Sequence, residues 1–439
     1  MPEHSFLSDF INRNRLTADS ISHTTIIKDL INEMEKGLAG NKSSLAMLPS
    51  YIHTDFSLPL NTPVIALDAG GTNFRVAVIS FRENNLIDIE DYQTYMMPGI
   101  ESEVSKKDFF NIIADYVKPL LSRSERIGFC FSYPVEISSN NDGKLLYFTK
   151  EIKAPEVTGS YICRSLREAL LRKGFNDRWR FTLLNDAVAT LLAGKADSAP
   201  SLYDSYIGFI LGTGSNTAYI EDGSKILKDP SLFGKGYQII NAESGMFNLI
   251  PRSKIDEEFD SKTNNPGNYI FEKMVSGAYL GPLALEYLKS AADSGLFSKS
   301  GKKIFGSLSE FGTKDMNTFL FSGTGRKTSN IFSSLTGTDR DTAAVIIESV
   351  VERAAILAAI NLAAFILKSG KGFRSEKPVC ITGDGATLYR VKDFKEKMES
   401  HLTRILTGEY ERYFKIIKIE NAPLIGAAIA GLTVHPVST

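Results

Sequence analysis

A short apolar strand, a glycine turn and a second strand occur twice in this chain, and that repetition limits the fold more than any other feature. VIALD at 64–68 runs into AGGT at 69–72, and NFRVAVI at 73–79 returns. Roughly 140 residues later YIGFIL at 206–211, GTG at 212–214 and SNTAYI at 215–220 restate the pattern. Each copy reads as a β-hairpin with a polar tip. Between them lie a strand over 126–133, a helix over 160–173, a strand over 180–184 and a helix opening at 186–193. Strands alternating with helices predict an α/β protein, and the recurrence predicts a duplicated unit. Further helices are expected over 269–290, 341–368, 391–406 and 424–432, with a strand at 379–382.

Composition narrows the function. The chain has 439 residues, 43% hydrophobic and 23% charged, which fits a globular protein of two or three domains. Fifty basic against 51 acidic residues leave no basic excess for nucleic acid or a membrane surface. Cys130, Cys163 and Cys380 are dispersed, as are the five histidines, so neither a zinc site nor a disulfide framework is expected. Acid–base chemistry then falls to carboxylates. The N-terminus lacks the pattern of a secretory signal, and the apolar run at 354–367 is shorter than a membrane span, so a buried helix and a cytoplasmic location are expected.

Four segments carry candidate chemistry. Adjacent glycines at Gly70 and Gly71 bring backbone N–H groups within reach of phosphate oxygens, and Asp68 before them is a hard oxygen ligand that can hold Mg²⁺ through water. Gly212, Thr213 and Gly214 offer a second such turn. Taken singly, either turn reads more readily as a plain hairpin, but two turns facing each other would clamp one nucleotide. In LLNDA at 183–187, Asn185 and Asp186 end a strand and open a helix. That is the chemistry of an N-cap, and equally of a carboxylate base at a cleft mouth. Gly383, Asp384 and Gly385 follow a strand and could pass an adenosine. Thr149, Lys150, Asn241, Glu243 and Glu272 interrupt apolar segments, and collected in one cleft such groups could read sugar hydroxyls.

Together these segments resemble the hexokinase family. VIALDAGGTNFRVAV at 64–78 is similar to its first phosphate loop, and MLPS at 47–50 precedes it as in that family. FSYPV at 131–135, FTK at 148–150, LND at 184–186, GTGSN at 212–216, INAESGMF at 240–247, NPG at 265–267 and FEKM at 271–274 follow in family order. The resemblance covers about residues 35 to 435. It departs at Ser244, where the family carries Trp or Tyr, at Glu151, and in a turn at 383–389 one residue longer than usual.

The resemblance implies a two-lobed actin-like ATPase fold. Residues 62–187, with the C-terminal helix 426–439, would form a small lobe, and 1–61 with 188–425 a large one. It implies MgATP-dependent phosphorylation of a hexose, glucose first, at the 6-hydroxyl. A kinase for mannose, fructose or an amino sugar, and a non-catalytic sugar sensor, are the alternatives. Asp186 would be the base and Lys150 would help organise the reacting groups. Ser132, Thr149, Lys150, Asn185, Asn216, Glu243 and Glu272 would bind the sugar. Gly70, Gly71, Thr72, Asn73, Gly212, Thr213 and Gly214 would contact phosphates, Asp68 would serve the Mg²⁺ environment, and Gly383, Asp384 and Gly385 would flank the adenosine.

Overall fold

A computed structural model describes residues 2–83, 86–148, 152–197, 202–322 and 335–433. Helices Pro2–Arg13 and His23–Leu38 lead to strand β1 (Leu48–His53). Then come β2 (Val64–Ala69), β3 (Asn73–Phe81), β4 (Ile87–Met96) and β5 (Arg126–Phe131). A small hairpin, β6 (Val135–Ile137) and β7 (Gly143–Leu145), precedes β8 (Arg180–Leu184). The second half supplies β9 (Ser205–Leu211), β10 (Ser215–Asp222), β11 (Tyr237–Asn241), β12 (Val379–Asp384) and β13 (Phe414–Ile417).

The strand order bears out the repeat. One sheet runs β4-β3-β2-β5-β8, and the other β1-β11-β10-β9-β12-β13. Without the extra β1, the two orders are the same. In each, a hairpin extends into a third antiparallel strand, and two parallel strands stack on the other side of its first strand. The first strands, β2 and β9, are buried almost throughout because both faces of their sheets are covered, which is why they read as continuous apolar runs.

Two helices of small residues fill the space between the sheets. Helix Asp186–Asp197 and helix Ala422–Thr433 share one buried cluster with Val64 and Ala66 of the first sheet and Ala218, Ile239 and Cys380 of the second. Their closeness depends on missing side chains. A Cβ on Gly128 of β5 would fall 1.7 Å from the Ala427 carbonyl oxygen. One on Gly426 would fall 1.9 Å from that of Ala189, and one on Gly208 of β9 2.0 Å from that of Ala187. Sheet, helix, helix and sheet therefore touch backbone to backbone. Gly426→Val is expected to lower stability by about 1–3 kcal/mol or more through overpacking, read as a lower thermal midpoint.

Three sequence expectations change. The helix expected over 269–290 is two, Ile270–Val275 and Leu280–Asp293, because the backbone between them is spent elsewhere: Gly277 N–H donates to Gly212 O at 2.8 Å and Ala278 N–H to Thr213 O at 3.0 Å. The helix expected from 391 begins at Phe394, behind a short helix at Ala386–Arg390. The strand expected to 133 stops at Phe131, freeing Ser132 and Tyr133 for the cleft. The run at 354–367 lies in helix Gly337–Ser369, which is long and apolar enough to cross a membrane; 89% of its most apolar window is buried inside the protein. The final helix starts at Ala422, and 434–439 lie outside the described residues.

Candidate active site

Parallel strands β2, β5 and β8 carry their C-terminal ends to one edge, and so Asp68, Ser132, Asn185 and Asp186 meet there. On the second sheet the β9–β10 turn, the end of β11 and the end of β12 come to a facing edge. Between the two edges is a cleft cavity of about 270 Å³. Asp68, Gly70, Gly71, Ser132, Asn185 and Asp186 line one wall; Gly212, Thr213, Gly214, Asn216, Glu243 and Glu272 line the other, with Asp384 and Gly385 beside them. Thr72, Asn73 and Gly383 stand outside this lining. Gly383 is turned inward, its carbonyl accepting the Tyr389 hydroxyl at 3.1 Å. Thr149 and Lys150 lie outside the described residues.

Each glycine turn is braced from behind. Ser132 N–H donates to Ala69 O at 3.0 Å, and the buried Tyr133 hydroxyl reaches the carbonyls of Gly70 (3.2 Å) and Gly71 (3.1 Å). On the facing turn, Gly212 O accepts both Gly277 N–H and the Thr387 hydroxyl, the latter at 2.7 Å. Gly385 has φ of +117°, and a Cβ there would meet Leu211 O at 2.3 Å, so only glycine lets β12 end against the second turn.

A chain of amides joins the walls. Asn216 Nδ2 donates to Asn185 Oδ1 at 3.1 Å and to Asn241 Oδ1 at 2.8 Å, and Asn241 Nδ2 donates to Glu243 Oε1 at 2.9 Å. Asn185 Oδ1 also accepts Ala187 N–H at 2.8 Å, so its capping role and its cleft role coexist. Glu272 Oε2 accepts Ser215 N–H at 2.9 Å. Glu243 and Tyr269 both sit in left-handed backbone, at φ of +54° and +55°. Non-glycine residues held there cluster at functional sites, where the surroundings over-determine them. Ser244 is buried, its hydroxyl 2.9 Å from that of Thr217, which also accepts Asn361 Nδ2 at 2.9 Å.

Five carboxylates line this cleft, Asp68, Asp186, Glu243, Glu272 and Asp384, against Arg75 as the one cation among the described lining residues. Arg75 Nη1 donates to Asp68 Oδ2 at 2.8 Å; the two residues are direct partners in the β2–β3 register. Burial still pushes the Asp68 carboxyl above its ordinary range. Burial first, then the charges of Asp186 and Glu272, push Glu243 up to about 7 against the opposing Asn241 hydrogen bond. A carboxyl raised in the fold stabilises it fully below the unfolded value of 4.5, and that contribution is lost as pH rises through about 7. Glu243→Gln is therefore expected to flatten the decline in thermal midpoint of the sugar-free protein between pH ~5 and ~8.

No group of three or more metal-ligating side chains occurs among the described residues. Asp68 Oδ1 is nonetheless buried without a hydrogen-bond partner. One orphan carboxylate oxygen in an acidic cleft fits a Mg²⁺ that arrives on nucleotide phosphates and keeps its waters.

Arg75, Tyr133 and Tyr269 also line the cleft and are not among the candidates that the sequence offers. Arg75 had a readable signal, since the hairpin that places Asp68 before the turn places an arginine opposite it. The other two depend on where distant loops arrive.

Comparison with known proteins agrees with this arrangement. One hexokinase family model matches residues 206–433 and a second matches 7–196. Hexokinase-7 of Oryza sativa subsp. japonica is 30% identical over 433 residues, covering 91% of each chain. Hexokinase-2 of Homo sapiens is 30% identical over 414 residues, 89% of this chain and 44% of that one. The structure of a hexokinase from Schistosoma mansoni complexed with glucose superposes with a TM-score of 0.80 at 25% identity, covering 98% of this chain and 99% of that one. The paired sheets are the two halves of the actin-like ATPase fold. Matched along both halves and in its tertiary structure, this chain belongs to the hexokinase family, whose members transfer a phosphoryl group from ATP to a hexose.

Proposed function

We propose that the hexose is glucose, that its 6-hydroxyl is the acceptor and that Asp186 takes the proton. The observation carrying this reading is the position of Asp186: it opens a helix at the cleft mouth, between two glycine turns and facing the amide–carboxylate set. As the alcohol oxygen bonds to the γ-phosphorus and the bond to the ADP oxygen breaks, the hydroxyl proton passes to the Asp186 carboxylate. Asn185, Asn216, Glu243 and Glu272, with Ser132 and, by resemblance, Thr149 and Lys150, would hold the sugar hydroxyls. Gly71, Thr213 and Gly214 would present N–H groups to the phosphates of MgATP, while Gly70 and Gly212, whose own N–H groups close the turns onto Asn73 O at 3.0 Å and Gly214 O at 2.9 Å, would let the backbone pass close to them, with Thr72 and Asn73 at the rim and Asp68 toward the metal. Asp384 and Gly385 lie where an adenosine would pass.

Residues 62–187 with the final helix would act as one lobe, and 1–61 with 188–425 as the other. Glucose bridging Asp186 and Asn185 to Glu243 and Glu272 would draw the lobes together and exclude water as a competing acceptor. The three cysteines, all buried and free, suit a reducing cytoplasm.

A coupled ADP-release assay over a hexose panel tests the reading. Release should depend on sugar and show its highest kcat/KM with glucose. ADP release without sugar, or binding of glucose without release, contradicts it. Glu272→Gln keeps an oxygen for Ser215 N–H but loses charge-assisted hydrogen bonding worth about 1.5–3 kcal/mol, so KM for glucose should rise roughly tenfold or more.

A further inference from the structure

A second cavity, larger than the cleft, lies away from it. About 500 Å³ in volume, it opens at the N-terminal end of β9, some 20 Å along that strand from the Gly212 turn. Four lysines from four separate segments enter it: Lys195 near the end of helix Asp186–Asp197, Lys225 beyond β10, Lys371 after helix Gly337–Ser369, and Lys377 before β12. Tyr203, Tyr206 and Tyr237 supply ring surface and hydroxyls.

The carboxylates of the same wall are already engaged. Asp204 Oδ2 accepts Gly372 N–H at 2.9 Å. Asp222 Oδ1 accepts Ser224 N–H at 2.8 Å. Glu221 is buried, takes the Tyr219 hydroxyl at 2.8 Å and Asp222 N–H at 3.0 Å, and faces Lys225 and Lys368 at 3.5 and 3.4 Å. By contrast, Lys195, Lys371 and Lys377 form no ion pair with any described carboxylate. The Lys195 ammonium instead rests 5.3 Å from the Tyr206 ring centroid and 5.7 Å from that of Phe56. Three ammonium groups with no carboxylate in direct contact among the described residues, only the charge of Asp55 bearing on Lys195 from nearby, surround a concave, tyrosine-lined space and make an anion site with room for an organic body.

From the cavity, the unpaired lysines and the ring surface, we propose that this pocket binds a phosphorylated small molecule, separately from the sugar and nucleotide cleft. The phosphate would lie among Lys195, Lys371 and Lys377, and the organic portion against the tyrosines. Two of the elements that frame the pocket, β9 and the helix that opens with Asp186, continue to the cleft.

Titration calorimetry tests this on the full chain with the cleft saturated by glucose and a non-hydrolysable ATP analogue. The probes are inorganic phosphate, ribose 5-phosphate and AMP. At least one ester should bind at one site per chain, roughly tenfold tighter than inorganic phosphate. The Lys371→Glu/Lys377→Glu double variant should weaken that binding at least roughly tenfold, with kcat and glucose KM unchanged. If charge reversal impairs folding, Lys371→Ala/Lys377→Ala provides the same comparison. No ester binding at millimolar concentration, equal affinity for inorganic phosphate, or undiminished binding in the folded variant would each overturn the proposal.

Discussion

Asp186→Asn should reduce kcat by about 10²–10⁴-fold, the range a positioned general base contributes, while glucose affinity changes little. Asparagine keeps the size of the side chain and an oxygen for Ala187 N–H, which Asp186 Oδ1 accepts at 2.9 Å, so the helix start survives. What it loses is the capacity to take a proton. Steady-state turnover with glucose and MgATP, beside calorimetric glucose binding, separates the two effects. Turnover within a few-fold of the parent enzyme would remove Asp186 from the chemistry.

The largest expected loss of stability lies elsewhere, at Arg353. Its guanidinium is fully buried inside the long helix Gly337–Ser369, with Nη1 and Nη2 on the two Asp256 oxygens at 2.9 and 2.8 Å and Nη1 also 3.0 Å from the Tyr287 hydroxyl. Burial alone would raise Asp256, but the Arg353 charge and hydrogen bonds prevail and hold its carboxyl below the usual range. Arg353→Ala strands that carboxylate in the core and should cost about 3–5 kcal/mol, the loss typical when one member of a buried pair is removed. The joint change Arg353→Met/Asp256→Leu removes both charges and should cost clearly less. Denaturant unfolding of the single and double variants checks this, and equal losses would show that volume rather than charge dominates.

The parts of the fold legible beforehand are those whose signal is local. Both hairpins, the strand before Asn185 and the small-residue helix at the C-terminus could be read because periodicity and turn residues act within a few positions. β1 and β13 carry no comparable local signal, because each joins its sheet at an edge, through a partner distant in sequence. The break at 276–279 has no local mark either, because its cause is the Gly212 turn more than sixty positions earlier.

The same division runs through the cleft. Asp186, Asn185 and the glycine turns announce themselves by residue type at a strand end. Asn241 is an ordinary strand terminus until Asn216 and Glu243 are placed on either side of it. The left-handed backbone of Glu243 and Tyr269 leaves no mark on local composition, since it is imposed by the packing of the loops that hold them. For the nucleotide, Asp384 and Gly385 reach the cleft while Gly383 does not, because the strand ends with its carbonyl tied to Tyr389.

A crystal structure with glucose and a non-hydrolysable ATP analogue tests the central claim most directly. The account predicts an Asp186 carboxylate oxygen about 2.6–3.2 Å from the glucose O6, with O6 aligned toward the γ-phosphorus and the two glycine turns on either side of the phosphates. A complex in which O6 faces another residue, or in which Asp186 stays beyond hydrogen-bond reach of every sugar hydroxyl, would contradict it.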